Sequence, residues 1–179
     1  MEDLSANDRN TELNIVEIFM AERGKLRRII AGMGLSTTDI EDVLQDVSVR
    51  ALKQPMNFQI RQEVVRWLIR VTINQCLIEH RRRKRFKKRI KEILLGKSRN
   101  YTNSAENNLI VAEELEIVRD SLKKLNNDLL GPVVLRYFCD MDSKEIGETL
   151  QQKPSTIRSR LREARIILAK GLLKRGIER

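Results

Sequence analysis

Arginines recur at helical spacing near the carboxyl end of the chain, at Arg158, Arg162 and Arg165. Apolar residues recur on another face of the same predicted helix, which suits packing against a neighbouring helix. These apolar residues are Ile157, Leu161, Ala164 and Leu168. A short helix with one packed side and one arginine-rich side suits the major groove of DNA. The alternative is a solvated basic face on a helical hairpin.

The segment before this helix favours a helix that binds the major groove over a solvated basic face. Asp142 can cap a helix over residues 142–150, and Glu145, three residues on, completes a capping-box pattern. A polar break at 151–153 follows, and Pro154 suits the first turn of the next helix. The pattern predicts a helix-turn-helix. Arginine pairs bidentately with guanine, so Arg158, Ser159 and Arg162 are the predicted base contacts. Thr156, Arg160 and Arg165 are the predicted phosphate contacts.

The net charge of +10 is unevenly distributed along the 179 residues. Residues 1–80 carry a net charge of −2, residues 81–106 carry +9, and residues 107–179 carry +3. Nine of the eleven residues from Arg81 to Lys91 are basic. Such a run can bind phosphate groups with little sequence specificity. The alternative interpretation is that the run is a disordered basic tail or a nonspecific tether. The pattern indicates a near-neutral module, a basic junction and a mildly basic second module.

Helical periodicity predicts three helices in the first module. They span about 13–33, 39–53 and from about 62 into the arginine run. On the second helix, Asp42, Gln45, Asp46 and Arg50 fall on one surface by i, i+3, i+4 and i+8 spacing. Acidic and amide groups there would complement a basic helical partner, and the alternative is a solvated face. A further helix is predicted from about Leu109.

Composition excludes several classes of protein. Gly and Pro are few, which favours helices. No segment has the apolar length of a membrane span, and the acidic amino terminus does not resemble a signal peptide, so we expect a cytoplasmic protein without membrane insertion. Cys76 and Cys139 do not make a disulfide scaffold. Cys76 and His80 are four residues apart but lack a second ligand pair, so we expect no metal site, a packed Cys76 and a surface His80. We predict no catalytic residue, cofactor or small-molecule substrate.

Four segments, in this order, together resemble the ECF (extracytoplasmic function) group of bacterial RNA polymerase sigma factors. They are residues 39–52, residues 67–74 followed by the arginine run, residues 135–138, and residues 145–165. The resemblance covers roughly residues 13–90 and 109–173. It implies an all-α protein of two small helical domains joined by a basic, polar linker, the second ending in the helix-turn-helix. The implied divisions are a loose tail (1–12), a first domain (13–91), a linker (92–108) and a second domain (109–179).

The resemblance also implies partners and roles. The first domain would bind the clamp of core RNA polymerase and open the promoter −10 element, and the second would bind the polymerase flap and read the −35 element. An anti-sigma factor is a candidate third partner. The polymerase-binding residues would be Asp42, Gln45, Asp46 and Arg50.

Opening DNA requires binding bases that have left the duplex. Aromatic rings can stack on such bases, amides can hydrogen-bond their edges, and arginines can hold phosphates or bases. The expected −10 contacts are therefore Asn57, Phe58, Gln59, Arg61, Arg66, Arg70, Asn74, Arg81, Arg82, Arg83 and Arg85. Trp67 is expected to pack in the core instead.

The chain departs from the family pattern in a few places. Gln151 stands where the turn usually has glycine, which predicts a different backbone there. Lys153 replaces the usual serine cap, so Pro154 would define the helix start. Glu163 replaces a frequent arginine and would weaken phosphate binding unless it reads cytosine or pairs with Arg160 or Arg162. Gly131-Pro132 predicts that the helix containing Leu135 begins late.

Two other classes compete with this interpretation. One is a polymerase-independent helix-turn-helix regulator with a helical dimerisation or sensory domain, which would self-associate and bind an operator tightly by itself. It leaves the acidic face and the basic junction without a role. The other is an enzyme acting on nucleic acid, for which the sequence has no metal cluster, nucleophile–base pair or phosphate loop.

Overall fold

The computed structural model describes residues 14–53, 58–94, 120–122 and 124–173, with residues 87–94, 172 and 173 described by their backbone alone. All the regular secondary structure in these ranges is helical. The prediction of an all-α chain with two helical domains is confirmed. The predicted loose tail, residues 95–108 of the predicted linker, and most of the helix predicted from Leu109 lie outside the described residues. The prediction that the linker begins at residue 92 was wrong, because the helix of the basic run continues to Leu94.

The first domain contains α1 (Ile15–Gly32), α2 (Thr37–Lys53) and α3 (Arg61–Leu94). The side chain of Asn14 caps α1 by accepting hydrogen bonds from two backbone N–H groups. Asp39 accepts from the backbone N–H of Ser36 at 2.9 Å, which fixes the start of α2. These bounds agree with the sequence prediction to within about two residues, the uncertainty of any helix end.

The core of the first domain forms where the three helices meet. Leu26, Ile29, Ile30, Leu68 and Ile69 are almost fully buried there. The inward face of α3 consists of Val65, Leu68, Ile69, Thr72 and Cys76, which are buried, and Leu77, which is half-buried. The prediction of a surface histidine was wrong. His80 is half-buried, and its Nε2 lies 2.7 Å from the carbonyl oxygen of Met33.

The second domain contains α4 (Asn127–Phe138), α5 (Ser143–Leu150) and α6 (Pro154–Leu173). Asp142 and Glu145 form the predicted capping box at the start of α5. On α6, Ile157, Leu161 and Ala164 are buried and Leu168 is half-buried, so the predicted apolar face is confirmed. The helix begins at Pro154 as predicted, and the carbonyl of Lys153 accepts the N–H of Ile157.

The prediction that the helix containing Leu135 begins late was wrong. It begins at Asn127 and includes Pro132. The side chain of Asn126 caps it by accepting the N–H of Leu129 at 3.0 Å. Residues 129–135 are all buried, and this burial outweighs the one backbone hydrogen bond that the proline cannot make.

The turn between α5 and α6 is closely packed. Gln151 ends α5 in the left-handed conformation, with φ 56° and ψ 48°. Glycine adopts this conformation most readily, so the prediction of a different backbone at Gln151 was wrong. The N–H of Gln152 donates to the carbonyl of Gly147 at 2.8 Å, and a Cβ on Gly147 would lie 2.6 Å from the carbonyl oxygen of Gln152.

The two domains pack against each other. Helix α1 contacts α4, and α3 contacts α5. A Cβ on Gly32 would lie 3.1 Å from the Phe138 ring and 3.2 Å from Val134, and a Cβ on Gly131 would lie 3.4 Å from Ile73. Arg66 and Glu148 form an ion pair across the same junction, with N and O 2.6 Å apart.

Replacing Gly147 with alanine should destabilise the protein by about 1–3 kcal/mol, because the new Cβ would overlap a backbone oxygen that cannot rotate away. Denaturant unfolding monitored by circular dichroism measures this. Gly24→Ala is the matched control, since Gly24 is also helical and has nothing within 4 Å of its Cβ position. Equal stability of the two variants would contradict the close packing of the turn.

Candidate nucleic-acid and protein interfaces

The outer face of α6 carries most of the predicted recognition residues together. Thr156, Arg158, Ser159 and Arg162 are all exposed on its first turns. Arg165 is exposed as well, and its Nε donates to the carbonyl of Leu161 at 3.3 Å. Because the opposite face is buried against α4 and α5, the arginine face is held outward and can enter a groove.

Arg160 differs from its neighbours on α6. It is half-buried, and its Nη1 donates to Oε1 of Gln152 at 2.5 Å. Its Nη2 lies 3.9 Å from a carboxylate oxygen of Asp128 at the start of α4. Arg160 therefore links the turn and α4 to the recognition helix, a contact that the sequence pattern did not reveal. Glu163 is exposed on α6.

Helix α2 presents the predicted acidic–amide surface. Asp42, Gln45, Asp46 and Arg50 are all exposed there. Nε2 of Gln75 on α3 donates to Asp46 at 2.6 Å, which orients that carboxylate, whereas Oε1 of Gln75 is buried and has no hydrogen-bond partner.

The start of the arginine run lies next to this surface. Arg82, Arg83, Arg85 and Phe86 on α3 line a groove together with Asp39, Asp42, Gln45, Asp46 and Glu79. Arg83 forms an ion pair with Asp39. Burial raises the pKa of the Asp39 carboxyl, but hydrogen bonds from Ser36 and Arg83 outweigh this, and the net shift is downward. Sequence spacing gave no signal of this contact, because its two residues lie on different helices.

The other arginines of the run are arranged differently. Arg82 is 3.7 Å from Glu79 and is largely exposed. Nε of Arg81 donates to the carbonyl of Leu77 at 3.1 Å, and Arg85 is exposed. The side chains beyond Phe86 lie outside the described residues. Part of the positive charge in the run is thus compensated within the fold.

Apart from Asn57 and the arginine run, the predicted −10 residues lie in the amino-terminal half of α3 and just before it. The Phe58 ring packs against Trp67, with ring centroids 5.9 Å apart and an interplanar angle of 55°. Both rings are half-buried against the core, as expected for Trp67. Gln59 is exposed, and its N–H donates to Glu63 at 2.8 Å. Asn57 lies outside the described residues.

The arginines of this group differ in their partners. Arg61 pairs with Glu22 at 3.0 Å, and Arg66 pairs with Glu148 of the second domain. Arg70 is half-buried and Asn74 is exposed. The structure therefore places Arg66 at the domain junction, which the sequence could not indicate.

The cysteines lie in packed positions. Cys76 is buried, and burial raises the pKa of its thiol to about 12. Cys139 is half-buried, and burial raises its pKa too. Among the described residues, no three His, Cys, Asp or Glu side chains are close enough to hold a metal ion. In the same part of the chain, no helix has the length and apolarity needed to cross a bilayer.

These surfaces define a class of protein: a helical, two-domain DNA-binding protein with a helix-turn-helix and a separate mixed-charge surface suited to a protein partner. The comparisons with known proteins identify the family. The family model for sigma-70 region 2 matches residues 18–86, and the model for sigma-70 region 4 matches residues 115–168. Together they match more than half of the chain.

Individual relatives agree with these matches. The ECF RNA polymerase sigma-E factor of Haemophilus influenzae is 27% identical over 142 residues, which cover 73% of each chain. The sigma factor RpoE from Bartonella quintana, solved in complex with the anti-sigma factor NepR, superposes with a TM-score of 0.61 at 17% identity. This superposition covers 91% of the present chain and 97% of the other, and shows a shared fold.

The chain belongs to the sigma-70 family, as an ECF sigma factor. It binds core RNA polymerase and promoter DNA and directs promoter-specific transcription initiation. The resemblance seen in the sequence is thereby confirmed.

Proposed function

We propose that the two domains divide the promoter between them, the first reading and opening the −10 element and the second reading the −35 element. The observation that carries this proposal is the exposed face of α6, where Arg158, Ser159 and Arg162 stand together on a helix anchored by its opposite side. Arginine and serine side chains on such a face can hydrogen-bond base edges in the major groove. Thr156 and Arg165 would hold the flanking phosphates.

The −10 contacts would come from α3 and the residues before it. Gln59 and Asn74 are exposed and could hydrogen-bond base edges, and the half-buried Phe58 ring beside Trp67 would stack on a base. Arg61, Arg66 and Arg70 would hold phosphates, and Asn57 would be a further contact. The proposed domain bounds are residues 13–91 and 109–179.

The polymerase would be bound by the exposed surface of α2, with the flap contacting the second domain. Asp42, Gln45 and Asp46 offer acceptors to a basic partner, and Arg50 adds a donor on the same face. In this proposal the protein acts in the cytoplasm as a noncovalent specificity subunit of the polymerase and has no catalytic role of its own. A candidate regulator is an anti-sigma factor, the kind of protein bound to the Bartonella relative.

Transcription in vitro from a fragmented genomic library, with core polymerase alone or with this protein, tests the proposal. Start sites that appear only with the protein would support it, and aligning them would give both promoter elements. If no start sites appear while the protein alone retains specific fragments, a polymerase-independent regulator would be the better description.

Asp42→Ala combined with Gln45→Ala should weaken binding to core polymerase, because both changes remove acceptors from the centre of the proposed surface. Fluorescence titration of labelled protein with core polymerase measures the dissociation constant. Glu41→Ala is the matched control, since Glu41 is an exposed acidic residue on the same helix that pairs instead with Arg23 and Arg27 of α1. Equal affinity of the double variant and the control would exclude this surface.

Arg158→Ala should relax promoter specificity at one or two positions of the −35 element, by about 1–3 kcal/mol per lost bidentate contact. Arg160→Ala should instead lower binding to all −35 sequences to a similar degree, because Arg160 braces the turn and α4. Binding to a library of randomised −35 sequences separates the two effects. An unchanged profile for Arg158→Ala would remove that residue from base recognition.

Arg81→Gln and Arg85→Gln should each reduce the salt dependence of promoter binding by the holoenzyme. The slope of the logarithm of the binding constant against the logarithm of the salt concentration should fall by about one unit for each substitution. Arg83→Gln should reduce the slope less, because Arg83 is already paired with Asp39. Promoter affinity measured over a range of potassium chloride concentrations gives the slopes. Identical slopes for all three variants and the unmodified protein would show that the run does not contact phosphate.

A further inference from the structure

The side of α6 that faces away from the core has an acidic residue near its middle. The inner side of the helix is defined by three buried residues, Ile157, Leu161 and Ala164. With about 3.6 residues per turn, Ser159 lies opposite this inner side, and Arg162 and Glu163 lie roughly 60° and 40° to either side of Ser159. Arg158 is further from the middle, at roughly 100° from Ser159. All four outer residues are exposed, so Glu163 belongs to the part of the helix that would reach deepest into a groove.

The carboxylate of Glu163 is not engaged by the rest of the described chain. No ion pair or side-chain hydrogen bond joins it to any described residue. Arg160 lies three positions before Glu163, a spacing at which helical ion pairs form, but its guanidinium is held by Gln152 and Asp128 instead. Glu163 therefore forms neither of the two pairs that the sequence allowed, with Arg160 or with Arg162, and its carboxylate is available to a ligand.

A carboxylate in the major groove discriminates strongly between bases. The phosphates on both sides of the groove repel it, so it is tolerated there only where a base donates a hydrogen bond to it. An ionised carboxylate is an acceptor only. Cytosine presents its N4 amino donor in the major groove, adenine presents a donor next to the N7 acceptor, and guanine presents two acceptors. A carboxylate at this position therefore favours cytosine most and guanine least.

We propose that Glu163 is a specificity-determining residue of α6, that its carboxylate accepts a hydrogen bond from the N4 amino group of a cytosine in the −35 element, and that it excludes guanine from that position. The proposal rests on the assignment of α6 to the −35 element in the proposed function. Arg162, on the other side of Ser159, has the opposite preference, because arginine pairs with guanine. The two side chains thus give the element a guanine at one position and a cytosine at another.

The base preference of the holoenzyme tests this proposal. Core polymerase carrying the full chain is mixed with a promoter library in which the −35 element is randomised, and the bound DNA is sequenced. The unmodified chain should enrich cytosine over guanine at one position by about fivefold or more. Glu163→Arg should invert this preference, so that guanine is enriched at the same position. Glu163→Gln should shift it towards adenine, because an amide pairs with the N6 and N7 atoms of adenine.

Asp140→Asn is the matched control for the loss of a negative charge. Asp140 is an exposed acidic residue of the second domain that lies outside α6. Its backbone is left-handed, with φ 53°, and asparagine tolerates that conformation. Any gain in affinity that comes only from removing a negative charge near DNA should appear in Glu163→Gln and in the control alike. The control should leave the base preference at every position unchanged.

The outcomes separate this proposal from the proposed function. If Arg158→Ala relaxes the −35 preference while both Glu163 variants keep the unmodified preference, α6 reads the element without Glu163, and only the present proposal is overturned. The same holds if the Glu163 variants change the affinity for all sequences equally, because Glu163 would then act on phosphate alone. If neither Arg158→Ala nor Glu163→Arg changes the preference, α6 does not read the −35 element, and both proposals are overturned.

Discussion

Burial of the apolar side of α3 is the interaction on which the rest of this structure depends. Leu68 and Ile69 are almost fully buried where α3 meets α1 and α2, and this packing fixes the direction of a helix that continues to Leu94. Everything that α3 carries is positioned by that core. Its amino-terminal half brings Arg66 to the second domain, and its continuation brings Arg83 to the start of α2.

In the second domain, too, core packing positions a functional helix, but fewer residues take part. Helix α5 has eight residues and is too short to be stable alone, so it relies on its capping box and on burial of Ile146. Gly147 allows the turn to pass close to α5, and Gln151 accepts a left-handed backbone to complete it. The rigid turn orients α6, and this orientation separates an anchored apolar face from an exposed arginine face.

The arginines of this chain have different roles despite their shared chemistry. Arg158 and Arg162 stand exposed on α6, whereas Arg160 braces the turn and Arg83 is held by Asp39. An arginine that is paired inside the fold has less charge available for phosphate than an exposed one. A basic stretch of sequence therefore overstates the number of its residues that can contact DNA.

The sequence by itself determined the helices, their inward faces, the capping box of α5 and the family, because these depend on local spacing and on the order of short motifs. It misjudged Pro132 and Gln151, because burial of α4 and the packing of the turn outweigh the local preferences of those residues. Only the tertiary structure decided which arginines are paired, that His80 reaches Met33, and that α5 packs against α3 while α4 packs against α1. These contacts join residues far apart in the chain, and helical periodicity specifies the face of a helix but not the partner that the face meets.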